Sequence, residues 1–440
     1  MSRLFSINDS LTNRISFYHL VLLLASLPFD MFYSHLILVS YTLHTIIHLQ
    51  KSSIKPIFNS QMYVLQAVFM VTVLCAIYST DRPGAGTEIG RRIAILLIPI
   101  LFSLNPCDIK KYRDRLFLSY SIVCTLTVLY LYADALVTLR HFNLPYSMLF
   151  SSNFANHNFS EPINMHATFF SMQIALALVF FLSMLMKEPS RSKRMLYLTG
   201  CLILIAGIVQ LSSKSVFVAL FLIINIAVPW FLLESSKRIR YLLISASLSI
   251  LIVAGILYSK TFNERYVTEL TTDLSPAKKG DILDSRLARW HVILDLIKKK
   301  PIIGYGTGTE VGLLHDAFFK NKLYNSFLHN LNAHNEYLSF LIKSGIIGLF
   351  VYLANLVFGL QVSIKNRNLL FFSFMLIIAT VSCSENILDV DKGVIYYAFF
   401  YSLFIFSTED EIQVKKQQKK HKYSSPGATN TAIGPSLLQS

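Results

Sequence analysis

Charge is what this 440-residue sequence has least of. Asp, Glu, Lys and Arg make up 15% of it, where soluble proteins carry about 25%. That excludes a soluble enzyme held by a single anchor. Cysteine is sparse as well. The five, at 75, 107, 124, 201 and 383, share no metal-ligand spacing and lie mostly in apolar runs. They read as small buried apolar residues. No nucleophile-elbow motif supports a Ser–His–Asp hydrolase, and no internal repeat is visible. The first apolar segment lacks a small-residue cleavage site after it, so it is expected to remain as a span rather than act as a signal peptide.

What the chain has in abundance is apolar surface. It is 53% hydrophobic, with 33 Phe and 22 Tyr and a mean hydropathy of +0.51. The expected fold is an all-α polytopic membrane protein with about twelve transmembrane helices and one large loop outside the membrane. Spans are expected near residues 15–27, 29–49, 62–79, 89–104, 116–137, 165–186, 195–211, 215–233, 241–258, 336–360, 369–384 and 394–406. This divides the chain into a first membrane bundle (1–258), a large outer loop (259–335), a closing group of membrane helices (336–408) and a polar tail (409–440), which reads as a disordered extension.

A net charge of +15 raises the question of nucleic acid. The basic residues sit in short loops between spans, which instead encode topology. With the N-terminus inside, every inner loop is basic: Lys51 and Lys55; Lys110, Lys111, Arg113 and Arg115; Lys187, Arg191, Lys193 and Arg194; Lys237, Arg238 and Arg240; Lys365 and Arg367; and the tail lysines 415, 416, 419, 420 and 422. Both termini are then inside. Cations left on the outer face, Lys214, Arg91, Arg92, Arg286 and Arg289, need another reason to be there. The case is strong for Lys214, at the outer end of a span, and weaker for Arg286, since long loops cross regardless of charge.

The outer loop concentrates the polar chemistry. Residues 281–300 predict an amphipathic helix, with Leu287, Trp290, Leu294 and Ile297 as its apolar stripe. Asp281 or Asp284 would cap it and Pro301 would stop it. Trp290 is expected at the membrane interface, with Arg286 and Arg289 on a neighbouring face. Gly304, Gly306 and Gly308 read first as a turn; a phosphate cradle would need a strand–turn–helix context. His334 is expected in the first turn of the next span. There the helix dipole would favour a neutral imidazole able to accept a proton; an interfacial polar residue is the competing reading. His315, His329 and His334 lack zinc-ligand spacing. Lys343, about two turns further on, is either functional or snorkels outward.

In order, Arg286, Trp290, Pro301, Gly304, Gly306, His334, Asn335, Tyr337, Leu338, Gly345 and Gly348 form the pattern RxxxW…PIIGxG…HNxYL…GxxG. It resembles the O-antigen ligase and O-antigen polymerase superfamily of bacterial membrane glycosyltransferases, in its ligase-like form. The motif covers residues 285–349, and the span layout extends the likeness over most of the chain. The resemblance implies a GT-C-like helical enzyme of the bacterial inner membrane, multi-pass, with its active site facing the periplasm. Its donor would be a glycan on undecaprenyl diphosphate and its acceptor the lipid A–core. An O-antigen polymerase, with a glycan acceptor, and a protein O-oligosaccharyltransferase are the near alternatives. No metal and no cofactor are implied. The family histidine falls on His334 and one family arginine on Arg286. A second arginine, usual in a Ser-Arg turn, is replaced here by Lys214 within Ser213-Lys214-Ser215, which keeps the charge but loses the bidentate fork. Arg289, the pair Arg91-Arg92 and the MHATFF segment around His166 are further candidates for substrate binding. A transporter of lipid-linked glycan is the alternative from another class. Such proteins usually line a central cavity with charge and show repeat symmetry, whereas this chain gathers its polarity on one outer loop.

Overall fold

The computed structural model describes residues 7–49, 60–275 and 284–408. Lys51, Lys55, Asp281 and the tail lysines lie outside these residues. Each of the twelve expected apolar segments falls on a helix: α1 (Leu11–Ser26), α2 (Met31–Ile47), α3 (Ser60–Ile77), α4 (Arg82–Leu104), α5 (Ile109–His141), α6 (Ala167–Lys187), α7 (Arg191–Leu211), α8 (Lys214–Leu232), α9 (Ser235–Tyr258), α14 (Glu336–Lys365), α15 (Leu369–Val381) and α16 (Asp391–Ser407). Of these, α5, α6, α7, α8, α9 and α14 are long and apolar enough to cross a membrane, and α2, α3 and α15 are shorter apolar helices. Among the described residues the fold is all-helical, consistent with a polytopic membrane protein. Between α9 and α14 lie an arm of short helical pieces, α10 (Lys260–Asp273), and helices α11 (Arg286–Lys299), α12 (Glu310–Lys320) and α13 (Tyr324–Leu328).

Local chemistry explains where the helices begin. Ser10, Asp30, Asp81, Asp108, Asn335 and Asn368 each accept a hydrogen bond from an amide in the first turn that follows, satisfying donors a helix start leaves free. The centre is built from α6, α15 and α16, almost entirely buried. Aromatic rings fill it: Phe371 stacks on Phe404 at 4.9 Å and Phe117 on Phe180 at 5.6 Å. By contrast α9 buries only Ser245 and Ile256. Its remaining apolar surface suits contact with lipid tails.

Gly345 has φ +62° and breaks α14 two turns from its start. The kink frees two carbonyls and two amides, and residues 301–306 take them up. Tyr305 N and Gly306 N donate to Ile342 O and Lys343 O (2.8 and 2.9 Å), while Ile346 N and Ile347 N donate to Pro301 O and Ile302 O (2.9 and 3.5 Å). The glycine turn is therefore a clip for the kinked helix, filled by protein backbone. A Cβ at Gly345 would collide with the Ile302 backbone. Gly345→Ala is expected to lower stability by at least about 1–2 kcal/mol from the left-handed conformation alone. A thermal melt in detergent measures this, and an unchanged midpoint would count against the clip.

Two expectations for the loop are corrected. Helix α11 starts at Arg286, not at residue 281, because the Ser285 hydroxyl caps it by accepting from Ala288 N at 3.2 Å. Asp284 instead accepts from Ser326 N at 2.7 Å. Its buried face is Arg289, Ile293 and Ile297, while Leu294 is exposed. Trp290 donates its indole N–H to Ala333 O at 3.1 Å, tying α11 to the end of the loop.

Candidate active site

A cavity of about 290 Å³ opens between the start of α8, the arm α10, the start of α11 and the turn after α15. Apolar walls come from Val218, Leu270, Leu274 and Trp290, and three cations line it: Lys214, Arg265 and Arg286. Each faces a carboxylate of the arm. Lys214 Nζ lies 3.4 Å from Glu269 Oε2, Arg265 pairs with the same Glu269, and Arg286 Nε lies 3.3 Å from Asp273 Oδ2. Arg286 also donates to Ser384 O at 2.9 Å. Glu269 and Asp273 are 47% and 30% exposed. Pairs this wet are weak, so an incoming anion can displace them.

Beside the cations sits His334. It is not in a helix, because Asn335 is the cap of α14 and His334 precedes it with φ +44°. The dipole therefore acts on it less than expected. A carboxylate acts instead: His334 Nδ1 lies 3.3 Å from Glu385 Oε2, and Glu385 lines the cavity. Burial opposes ionisation of Glu385. The hydrogen bond with His334 and the nearby positive charge, Arg286 included, outweigh it and hold the carboxyl below its usual range. A carboxylate on Nδ1 fixes that nitrogen as the donor and leaves Nε2 as the proton acceptor.

Other candidates take different places. Arg289 is buried behind the cavity, with Nε and one terminal nitrogen unpartnered. Burial, then the Arg286 charge, lowers its guanidinium to about 10. His166 caps α6 by accepting from Thr168 N at 3.3 Å, its ring 4.2 Å from that of His157. Burial keeps it neutral, lowered to about 4.

Arg91 and Arg92 do not line the cavity. Arg92 lies in a buried ion network beneath it, 2.8 Å from Asp389, 2.9 Å from Glu88 and 3.7 Å from Glu336. Lys343 joins the same network, 2.8 Å from Asp389, 3.0 Å from Glu88 and 3.4 Å from Glu310. Lys343 thus neither snorkels nor meets the cavity; it ties α14 to α4, α12 and the turn before α16. Sequence reasoning missed Arg265, Glu269, Asp273 and Glu385. Only the charge of Arg265 in the long loop offered a signal, on the same weaker grounds as Arg286.

Residues 199–353 match the family model described as O-antigen ligase. This stretch is similar to the O-antigen ligase family. It contains Lys214, Arg265, Arg286, Arg289 and His334, and leaves out Arg91, Arg92, His166 and Glu385. No curated protein matches the chain. O-antigen ligase family members are membrane enzymes acting on glycans, and the match supports, coarsely, an activity of that glycosyltransferase type for this chain.

Proposed function

We propose that this glycosyltransferase moves a glycan from undecaprenyl diphosphate to the lipid A–core, at the periplasmic face of the inner membrane, with inversion and without a metal. One observation carries the reading: Lys214, Arg265 and Arg286 converge on an apolar-walled cavity at whose edge stands the His334–Glu385 pair. A lipid diphosphate needs cations for its charge and apolar surface for its chain. A sugar hydroxyl needs a base.

In the proposed step the acceptor hydroxyl gives its proton to His334 Nε2 as its oxygen attacks the anomeric carbon. The bond from that carbon to the phosphate oxygen breaks, and its electron pair leaves on the diphosphate. Glu385 holds the imidazolium that forms. Arg286, Lys214 and Arg265 stabilise the charge on the leaving oxygens, displacing Glu269 and Asp273 from them. Arg289, with spare donors behind Arg286, reinforces the field. His166 and the pair Arg91-Arg92 support the site from behind rather than meeting the diphosphate. Residues 259–335 form the periplasmic loop between the membrane bundles 1–258 and 336–408, with both termini cytoplasmic.

The test is deletion of the gene followed by a lipopolysaccharide gel. Loss of every ladder band, with lipid-linked donor accumulating, is expected of a ligase. A core carrying a single repeat would make the enzyme a polymerase.

A further inference from the structure

We propose that Glu310, acting with Asn386, is a positioning residue that holds His334 and Glu385 in register for proton transfer; this rests on the function proposed above. Glu310 opens α12 and is only 3% exposed. Its Oε1 accepts from Ala333 N at 2.9 Å and from Asn386 Nδ2 at 3.0 Å. Asn386 Oδ1 in turn accepts from Asn335 N at 2.8 Å. The amides on both sides of His334 are thus held by these two side chains, and Asn386 directly follows Glu385 in the chain. The clamp grips the backbone next to each member of the proton-transfer pair. It also holds His334 in a left-handed conformation that a non-glycine residue rarely adopts unaided.

The other oxygen of Glu310 is anchored. Oε2 accepts from Ser339 Oγ at 2.5 Å and lies 3.4 Å from Lys343 Nζ. Asn386 Nδ2 also reaches Asp389 Oδ2 at 2.9 Å, and Asp389 is paired with Lys343 and Arg92. The buried ion network is therefore the footing of the clamp. Everything facing Glu310 donates, except that the Ser339 hydroxyl can turn, so an ionised carboxylate fits and an amide does not. Glu310→Gln keeps the size but presents an NH₂ to donors, and at least one grip is lost.

The consequence is legible in a pH profile. Charged and titratable groups facing the pair are Arg286 and Arg289 from α11 and His166 from the start of α6, with His157 and Arg265 beyond. None is a carboxylate that could replace Glu385. An imidazole that loses its carboxylate partner gives up its proton more readily. Because the base must be neutral, the acid limb of the kcat profile then moves to lower pH.

The experiment measures kcat and KM against pH for the full chain in detergent, with wild type, His334→Ala, Glu385→Gln, Glu310→Gln, Asn386→Ala and the Glu310→Gln/Glu385→Gln double variant. Glu310→Gln is expected to lower kcat about 10- to 100-fold through misplacement, with donor KM little changed. Its acid limb should shift in the same direction as that of Glu385→Gln, and the double variant should shift no further than Glu385→Gln. Asn386→Ala should reproduce the shift, and it decides the matter if Glu310→Gln does not fold. A loss of kcat with the acid limb unmoved in these variants, while His334→Ala is inactive, makes Glu310 merely structural and overturns the inference. Turnover retained by His334→Ala instead overturns the proposed function on which it rests.

Discussion

His334→Ala is expected to remove turnover while leaving donor binding intact. The imidazole pairs with Glu385, whereas the cations of the cavity are Lys214, Arg265 and Arg286. Loss of a general base typically costs ~10²–10⁴-fold. Binding of the lipid diphosphate draws on charge that this variant does not touch. Single-turnover transfer and donor affinity, measured on the same preparation, separate the two effects. Near-normal turnover would show that another group takes the acceptor proton. A parallel loss of donor affinity would place His334 on the diphosphate instead.

Arg286→Ala is expected to weaken both binding and transfer. A charge-assisted hydrogen bond is worth about 1.5–3 kcal/mol, which is roughly 10- to 150-fold in affinity. The loss in transfer should be larger, because charge on the leaving oxygen grows as the bond breaks. Lys214→Ala should behave alike, and Lys214→Arg should be tolerated, since a guanidinium grips phosphate with two donors. The paired carboxylates sharpen this expectation. Asp273 lies beside Arg286, and Glu269 beside Lys214 and Arg265, so each cation must exchange a protein anion for the substrate. Normal binding by Lys214→Ala would reduce that lysine to an interfacial anchor.

The helices were legible because membrane burial leaves a simple signature. Twenty apolar residues in a row have few alternatives to a helix, and all twelve expected segments lie on helices. The ion network was not legible. Arg92 and Asp389 stand 297 positions apart, and no local pattern announces a pairing at that distance. Arg92 therefore looked like an outward cation, although it is buried. The stripe of α11 was right at Ile297 but one position off at Arg289 and Ile293 for a related reason: Arg289 is polar by composition yet faces inward, so periodicity skipped it. His334 was found by its motif, but Glu385 was not. A single glutamate in a short turn becomes informative only when the fold brings it within 3.3 Å of the imidazole. The expected glycine turn exists, and its purpose appears only beside the kink at Gly345, whose free backbone groups it satisfies.

The account is tested most directly by reconstitution. Purified chain in detergent, with EDTA present and no ion gradient, is given undecaprenyl-diphosphate-linked glycan and lipid A–core. The account predicts that glycan appears on the core with stoichiometric release of undecaprenyl diphosphate, and that the wild-type chain does this while His334→Ala does not. Absence of product without a gradient, or product that requires a divalent ion, would contradict it.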